Sequence, residues 1–275
     1  MPISARELAQ GVSQLTALPD VCIQVNRMTE DDRHSAEEMA RVIGRDPGLT
    51  SQLLRIANSA YYGLASRVET VTRAITVIGN RELRDLVLAT SVINRFSDLA
   101  EDQQLLEDYW RHSVQVGCLA RVLARGAAAR VLHGERLFVA GLLHDIGRLV
   151  MAVRIPELLR VMNALAHAQR LPMWEAERLV FDLDHCEVGE ALLAEWELPA
   201  LLRETAALHH RPLEATHFPL EVALVHVADW LARGEGEVDP AVWTVTGLDE
   251  RRARRLARDS DFHAQAMAQG LLSRS

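Results

Sequence analysis

The sequence predicts an all-α fold, and three observations carry that prediction. Leu and Ala are abundant whereas aromatic residues make up only 5% of the chain, a composition that favours helices over sheets. Helix-capping signals recur along the chain, and the apolar residues between them follow helical spacing. We find no segment with the pattern typical of a strand.

Helices of the first third are delimited by capping residues. Three N-terminal signals stand out, namely Ser4 with Glu7, Ser35 with Glu38, and Asp46 with Pro47. Between them, Leu18-Pro19 breaks the first helix and a second one follows. We expect the helix that begins after Asp46 to stop at Gly63, another to run to about Gly79, and Asn80 to cap the next.

A polar stretch at 97–102 is the candidate boundary between two parts of the chain. We predict an N-terminal helical subdomain over 1–97, a second helical subdomain over 98–235 and a helical tail over 236–275. Within the second part, helices are expected around residues 105–125, 135–153, 156–170, 172–181, 184–196, 199–210 and 218–233. Residues 234–240 (GEGEVDP) are expected to form a loop.

Composition excludes several functional classes. The net charge of −8 and the pI near 5.8 argue against a surface for a nucleic-acid duplex, which needs clustered positive charge. Three widely separated cysteines indicate neither a disulfide framework nor a thiolate zinc site. The chain shows no signal peptide and no apolar run of about 18 residues, so we expect no membrane span and a cytoplasmic location.

A long motif lies between Asp46 and Gly63, where the chain reads DPGLTSQLLRIANSAYYG. Together with AITVIG at 74–79 and Leu18-Pro19, it resembles the hallmark of the HDOD family over residues 10 to 230 or so. The resemblance implies an N-terminal helical bundle packed against an HD-like helical core. It also implies a regulatory output module in bacterial signal transduction, with other signalling proteins as partners.

Asn58, Ser59 and Tyr61 lie inside that motif and have two interpretations. Short polar side chains near a helix end compete for backbone groups, so the structural interpretation is that Asn58 and Ser59 fix the exit turn. Tyr61 would then cover the apolar face that follows. The alternative is that these residues form a recognition surface for a partner.

The chemistry, if any, lies in the second half. Residues 137–153 (LFVAGLLHDIGRLVMAV) are apolar except at His144, Asp145 and Arg148, which predicts a buried helix. Burying an imidazole and a carboxylate is costly unless they are paired or bound to a cation. Gly141 and Gly147 are unfavourable within a helix, so a close approach of another segment is expected at each.

Further histidines and a carboxylate recur at intervals of one or two helices, namely His112, His185, His209, His210 and Asp229. Helices of a bundle can direct side chains from such positions toward one centre, as in carboxylate-bridged metal bundles. A buried hydrogen-bonded pair, His144 with Asp145, that holds helices in register is the simpler alternative.

This order of His, His-Asp, His, His-His and Asp resembles the HD superfamily of metal-dependent phosphohydrolases, most closely its cyclic-dinucleotide branch. The resemblance implies that the seven matching positions bind one or two divalent metals. Histidine with carboxylate ligation suits iron, manganese or zinc. Two positions depart from that branch: Arg148 replaces a lysine, and residues 211–214 (RPLE) replace a Gly-Tyr-Pro loop.

The sequence therefore leaves three functional hypotheses open. The favoured one is a regulatory module with a vestigial or binding-only metal centre. The alternative is an active metal-dependent phosphohydrolase that cleaves a cyclic nucleotide or another phosphodiester. In the third, the centre binds a nucleotide or cyclic dinucleotide without cleaving it, and binding shifts the two subdomains.

Overall fold

The computed structural model describes residues 3–13, 18–30, 34–59, 62–97, 99, 103–127, 136–234 and 236–258. Within these ranges all the regular structure is helical and no strand occurs, so the all-α prediction is confirmed. The helices are α1 (Ala5–Ser13), α2 (Asp20–Glu30), α3 (Ala36–Ile43), α4 (Pro47–Ala57), α5 (Val71–Ile78), α6 (Asn80–Ser97), α7 (Gln103–Gly126), α8 (Arg136–Leu143), α9 (Ile146–Arg154), α10 (Pro156–Gln169), α11 (Met173–Phe181), α12 (His185–Glu195), α13 (Ala200–Leu208), α14 (Pro219–Arg233), α15 (Pro240–Thr246) and α16 (Glu250–Arg258).

Helices α2 to α6 form the N-terminal bundle, in which α6 packs against α2, α4 and α5. Two of the predicted caps are present at its helix starts, whereas Asn80, predicted to cap the next helix, is itself the first residue of α6. Ser35 and Glu38 form a complete capping box, and Asp46 accepts a hydrogen bond from the backbone N–H of Leu49. These local bonds satisfy N–H groups that a helix start leaves unpaired, and they fix where each helix begins.

Helix α4 ends at Ala57, so the predicted stop at Gly63 is wrong. The Asn58 side chain ends the helix earlier. Its amide nitrogen donates to the carbonyl oxygens of Leu54 and Val68, both at 2.7 Å, and its carbonyl oxygen accepts from the N–H of Val68 at 2.8 Å. The side chain thereby takes over backbone groups of the last turn and ties them to the loop that follows.

Residues 135–153, predicted as one helix, are two. Helix α8 ends at Leu143 and α9 begins at Ile146, with His144 and Asp145 in the break between them. Consecutive side chains on an unbroken α-helix point about 100° apart. The break therefore allows both polar side chains to point in one direction.

The core around this break is tightly packed. Helix α8 lies against α7, which also packs on α14, while α9 lies against α12. A Cβ atom on Gly141 would lie 2.7 Å from the Cα atom of Gly117, and a Cβ atom on Gly147 would overlap the carbonyl oxygen of His185. Both predicted close approaches are confirmed.

The two parts of the chain share one apolar core that runs from Leu8 to Ala253. Helix α1 packs on α9 and α12, and α6 packs on α8. These contacts agree with a bundle packed against an HD-like core, whereas the division at residues 97 and 98 stays a prediction. In the described part of the tail, α15 and α16 are helical; residues 259–275 lie outside it. No described helix is long and apolar enough to cross a membrane.

Replacing Gly147 by alanine is expected to destabilise the fold by at least about 2 kcal/mol, because the added methyl group meets backbone on α12 that cannot move aside. Urea unfolding followed by far-UV circular dichroism measures the change in unfolding free energy. Gly48→Ala is the control and should change the unfolding free energy little, because a Cβ there meets only a side-chain oxygen at 3.4 Å. Equal stability of the two variants would contradict the close approach.

Candidate metal centre

The seven side chains predicted to converge all lie around one buried point. They come from five elements: α7 carries His112, the α8–α9 break carries His144 and Asp145, α12 begins with His185, the end of α13 leads into His209 and His210, and α14 carries Asp229. His112 and His210 are half-buried, and the other five are buried. Asp145 lies in the middle and divides the centre into two halves.

We call the first group the histidine half; it comprises Asp145 Oδ1 and the Nε2 atoms of His185, His209 and His210. Asp145 Oδ1 lies 3.0 Å from Nε2 of His185 and 3.3 Å from Nε2 of His209. The Nε2 atom of His185 lies 3.4 Å from that of His209 and 3.2 Å from that of His210. Ligand atoms that share one ion at bond lengths of about 2.1 Å are separated by about 3.0–3.4 Å, so this spacing suits a coordination shell.

The carboxylate half comprises Asp145 Oδ2, Asp229 Oδ1 and the Nε2 atoms of His112 and His144. Asp229 Oδ1 lies 2.9 Å from Nε2 of His112 and 3.6 Å from Nε2 of His144. Asp145 Oδ2 lies 3.5 Å from Nε2 of His144. His112, His144 and Asp229 form a group whose donor atoms lie within 4.8 Å of one another, and so do His144, Asp145 and His209, which come from both halves.

Outer partners aim the histidine rings. The Nδ1 atom of His144 donates to the carbonyl oxygen of Gly141 at 2.6 Å, and that of His209 donates to the carbonyl oxygen of Ala206 at 3.0 Å. Because a carbonyl oxygen only accepts, each Nδ1 carries a proton, and in the neutral ring Nε2 presents its lone pair to the centre. Such outer hydrogen bonds are typical of metal-bound histidines.

Glu177 orients the ring of His185, and the sequence analysis did not identify this residue. Its Oε2 accepts hydrogen bonds from the backbone N–H of His185 at 2.8 Å and from Nδ1 of the ring at 2.6 Å. The side chain is fully buried in α11. Nothing in the local sequence distinguishes Glu177 from neighbouring glutamates, because its role depends on how α11 packs beside the start of α12.

Cys186 is a second residue that sequence reasoning missed. Its Sγ lies 3.9 Å from Nδ1 of His209, and with His185, His209 and His210 it forms a group that can hold a metal ion. Considering only paired cysteines excluded a thiolate donor, but one cysteine beside a metal-ligating type of histidine is sufficient. The interpretation that the cysteine spacing does not indicate a thiolate zinc site stays a prediction.

Two arginines neutralise the carboxylates from the other side. Nη1 of Arg148 lies 3.3 Å from Asp145 Oδ2. Arg233, which sequence reasoning also missed, donates from Nε to both oxygens of Asp229 at 2.8 and 2.9 Å, and from Nη2 to Asp145 Oδ2 at 3.2 Å. Its position four residues after Asp229 is a recognisable helical pairing signal.

Both carboxylates of the centre stay ionised. Burial raises the pKa of Asp145, but the charge of His185 and hydrogen bonds from His185 and His209 outweigh burial and hold that pKa well below its usual range. Burial likewise raises the pKa of Asp229, and a hydrogen bond from His112 together with the charge of Arg233 more than offsets it. The centre therefore carries two full negative charges inside the core.

The histidines respond in opposite directions. Burial lowers the pKa of His144 and His210, which keeps both rings neutral. Burial also lowers the pKa of His185 and His209, but negatively charged neighbours outweigh it and raise both values, that of His185 chiefly through Glu177. A cation that binds Nε2 of these two rings must displace a proton, so metal binding would release protons.

The donor set fits a divalent metal. Nε2 of His144 is buried without a hydrogen-bond partner. A buried ring nitrogen whose lone pair is unsatisfied is costly unless a cation or a donor meets it. Nitrogen, oxygen and sulfur donors together suit iron, manganese or zinc better than magnesium or calcium.

A cavity of about 440 Å³ adjoins the carboxylate half. It is lined by His112 and Arg148 on the side of the centre, and by Gln104, Tyr109 and Asn163 among others farther out. The remaining predicted residues lie elsewhere: Asn58 and Ser59 follow α4 in the N-terminal bundle, and Tyr61 lies outside the described residues. For Asn58, the hydrogen bonds to the loop are those expected from the structural interpretation.

A profile of the HDOD domain matches residues 15–212. An uncharacterised protein of Treponema pallidum (strain Nichols) is 25% identical over 206 residues, which is 75% of this chain. The chain spans only 39% of that curated relative.

Three solved structures share the fold at 22% identity. An HDOD domain protein of unknown function from Geobacter sulfurreducens has a TM-score of 0.79, over 97% of this chain and 96% of that one. A proposed phosphohydrolase from Shewanella amazonensis SB2B has a TM-score of 0.77, over 96% of this chain and 97% of that one. A proposed signal transduction protein from Marinobacter aquaeolei VT8 has 0.74, over 94% of this chain and 60% of that one.

Glu177→Gln is expected to lower the affinity for a divalent metal about 10- to 100-fold, because a neutral amide holds the His185 ring less firmly and makes Nε2 a weaker ligand. Titration of metal-free protein against a chromophoric chelator measures the affinity. Glu175→Gln on the same helix is the matched control and should leave the affinity unchanged. Unchanged affinity in both variants would show that Glu177 does not act through His185.

Proposed function

The chain belongs to the HDOD domain family. On that premise we propose that it is a regulatory output module of bacterial signal transduction. Its buried centre would bind a divalent metal without hydrolysing a substrate. The family supports the regulatory role, as does the shared fold with a proposed signal transduction protein. Other signalling proteins would be its partners.

One observation carries the metal proposal, namely that ring nitrogens from separate helices face one carboxylate while their other nitrogens are held from outside. His209 and His144 are oriented by backbone carbonyl oxygens, and His185 by Glu177. With Nδ1 donating outward, a neutral ring offers a lone pair at Nε2. A cation shared with Asp145 would take the place of the protons that His185 and His209 direct toward that carboxylate.

The histidine half would hold the ion through His185, His209, His210 and Asp145, with Cys186 beside them. When bound, the metal supplies a fixed positive charge and acts as a Lewis acid. The residues of the chain provide the rest: Glu177 orients His185, and the backbone of α13 orients His209. An ion held in this way would link α9, α12 and α13, which is the basis for a regulatory effect of metal binding.

Two features favour binding over hydrolysis. Both carboxylates already contact arginine, so they are poorly placed to accept a proton from an attacking water. After His210 the chain forms a short 3-10 turn at Pro212–Glu214, with Pro212 buried, in place of the Gly-Tyr-Pro loop of the cyclic-dinucleotide branch. Ligands for a metal do not by themselves supply substrate geometry.

The second candidate function is a metal-dependent phosphohydrolase, and the cavity beside His112 and Arg148 favours it. Arg148 could pair with a phosphate there, since a guanidinium matches the geometry of phosphate oxygens. Such a cavity would admit a nucleotide or cyclic dinucleotide, which could also bind without being cleaved. The fold shared with a proposed phosphohydrolase is compatible with either outcome.

Metal content tests the first half of the proposal. Purified full-length protein, reloaded with manganese, iron or zinc and desalted, is expected to retain stoichiometric metal by inductively coupled plasma mass spectrometry. His209→Ala and Asp145→Ala should each lose it, because both remove a donor of the histidine half. His217→Ala, an exposed histidine far along the loop, is the control that should keep it. Metal-free protein under all loading conditions would end the metal proposal.

Turnover separates binding from hydrolysis. We expect the metal-loaded protein to cleave bis(4-nitrophenyl) phosphate and cyclic di-GMP no faster than the Asp145→Ala variant. Calorimetric titration with the same cyclic dinucleotide then measures binding without cleavage. Turnover that disappears in Asp145→Ala would make the chain an enzyme and overturn the binding-only assignment.

A further inference from the structure

We propose that Arg233 is a built-in cation that closes the carboxylate half of the centre to metal, so that the chain holds a single divalent ion, in its histidine half. This inference rests on the proposed metal binding and specifies it. It assigns a role to a residue that neither the family motif nor the spacing of histidines points to.

The geometry of α14 builds the contact in. Asp229 and Arg233 are four residues apart, so their side chains lie on the same face of the helix. Nε of Arg233 lies 2.8 and 2.9 Å from the two oxygens of Asp229, which leaves neither oxygen free of the guanidinium. The same side chain reaches Asp145 Oδ2 through Nη2 at 3.2 Å. One guanidinium thereby joins the two carboxylates of this half.

The charges of the two halves differ for this reason. Arg148 and Arg233 together supply two positive charges to the two carboxylates, so the carboxylate half is already neutralised. A divalent ion placed among the same oxygens would be repelled by the guanidinium within a few ångströms, in a site where little water screens the charges. Arg233 itself is about two-thirds buried, with 32% of its side chain exposed.

Among the residues that the structure describes, no guanidinium contacts the histidine half. Both arginine contacts of Asp145 are made through Oδ2, which leaves Oδ1 facing the rings of His185 and His209. The donors there are ring nitrogens that bind a metal in their neutral form. An ion in this half would therefore meet ligands and no guanidinium. Asymmetry between the halves follows from one residue, Arg233, more than from any missing ligand.

A single ion has a chemical consequence. Two-metal phosphoesterases place two ions about 3.5–4 Å apart to stabilise the attacking and the leaving oxygen. With Arg233 in place, the carboxylate half supplies a guanidinium where the second ion would be. The centre then binds a metal but lacks the paired clamp, in agreement with a regulatory role.

Metal stoichiometry in arginine variants tests this proposal. Full-length wild-type protein, Arg233→Gln and Arg233→Ala are stripped with a chelator, reloaded with excess Mn²⁺ or Zn²⁺, desalted and analysed by mass spectrometry. Circular dichroism and thermal unfolding with and without metal check the fold of each variant. Arg160→Gln is the matched control, since it removes an exposed guanidinium that pairs with Glu157 on α10 and leaves the pair of Asp229 and Arg233 intact.

We expect the wild type to bind one ion per chain and Arg233→Ala to bind two. The second ion should raise the unfolding temperature of Arg233→Ala further when metal is added. Arg233→Gln, which retains a hydrogen-bond donor, should do the same, and it provides the answer if the alanine variant fails to fold. Arg160→Gln should stay at one. Adding His209→Ala to Arg233→Gln should remove the first ion and leave the second.

The outcomes separate this proposal from the function it rests on. Two ions in the wild type, or one ion in both the wild type and Arg233→Gln, would overturn the role of Arg233 and keep the metal-binding function. No ion in the wild type but one in Arg233→Gln would support the role of Arg233 while removing the function. No ion in either protein would overturn both.

Discussion

The structure depends on how two ionised carboxylates are neutralised inside an apolar helical core. Asp145 and Asp229 are both buried, and each carries its charge in a place where an unpaired charge is very costly. Arginines contact the two carboxylates on one side and histidine rings contact them on the other, and both kinds of contact offset this cost. Every helix that contributes to the centre, from α7 to α14, is held there in part by those charges.

The break between α8 and α9 makes this arrangement possible. Gly141 lets α8 lie directly on α7, and Gly147 lets α9 lie on the start of α12, so the break is clamped on both sides. His144 and Asp145 are released from the helical pattern between those two contacts and both reach the centre. The motif His-Asp followed by glycine two residues later therefore shapes the backbone, in addition to supplying side chains to the centre.

Much of the fold could be predicted from the sequence because helix ends are encoded locally. Capping residues such as Ser35 and Asp46 act within four residues of themselves, and the structure places those helix starts as predicted. The interruption at His144 could not be predicted in this way, since residues 137–153 have continuous apolar character and the break depends on packing against α12. Asn58 likewise ends α4 through a bond to Val68, ten residues away.

The centre was predictable in part for the same reason. Seven side chains were identified from residue type and order, and they do lie together. Glu177 and Cys186 were missed because their roles depend on how helices meet in space, and Arg233 was missed because only metal-ligating residue types were considered.

The contact of α9 with α12 has a mechanical consequence. At Gly147 and Gly189 the two backbones touch with no side chain between them, and α1 lies across both helices. Side chains usually absorb small displacements by changing rotamer, but here none intervenes. A shift of His185 by a few tenths of an ångström would therefore be passed on as a rigid movement to α9 and to the helix that lies over them. Helices α9 and α12 therefore move together, and a displacement at His185 would be transmitted to the protein surface.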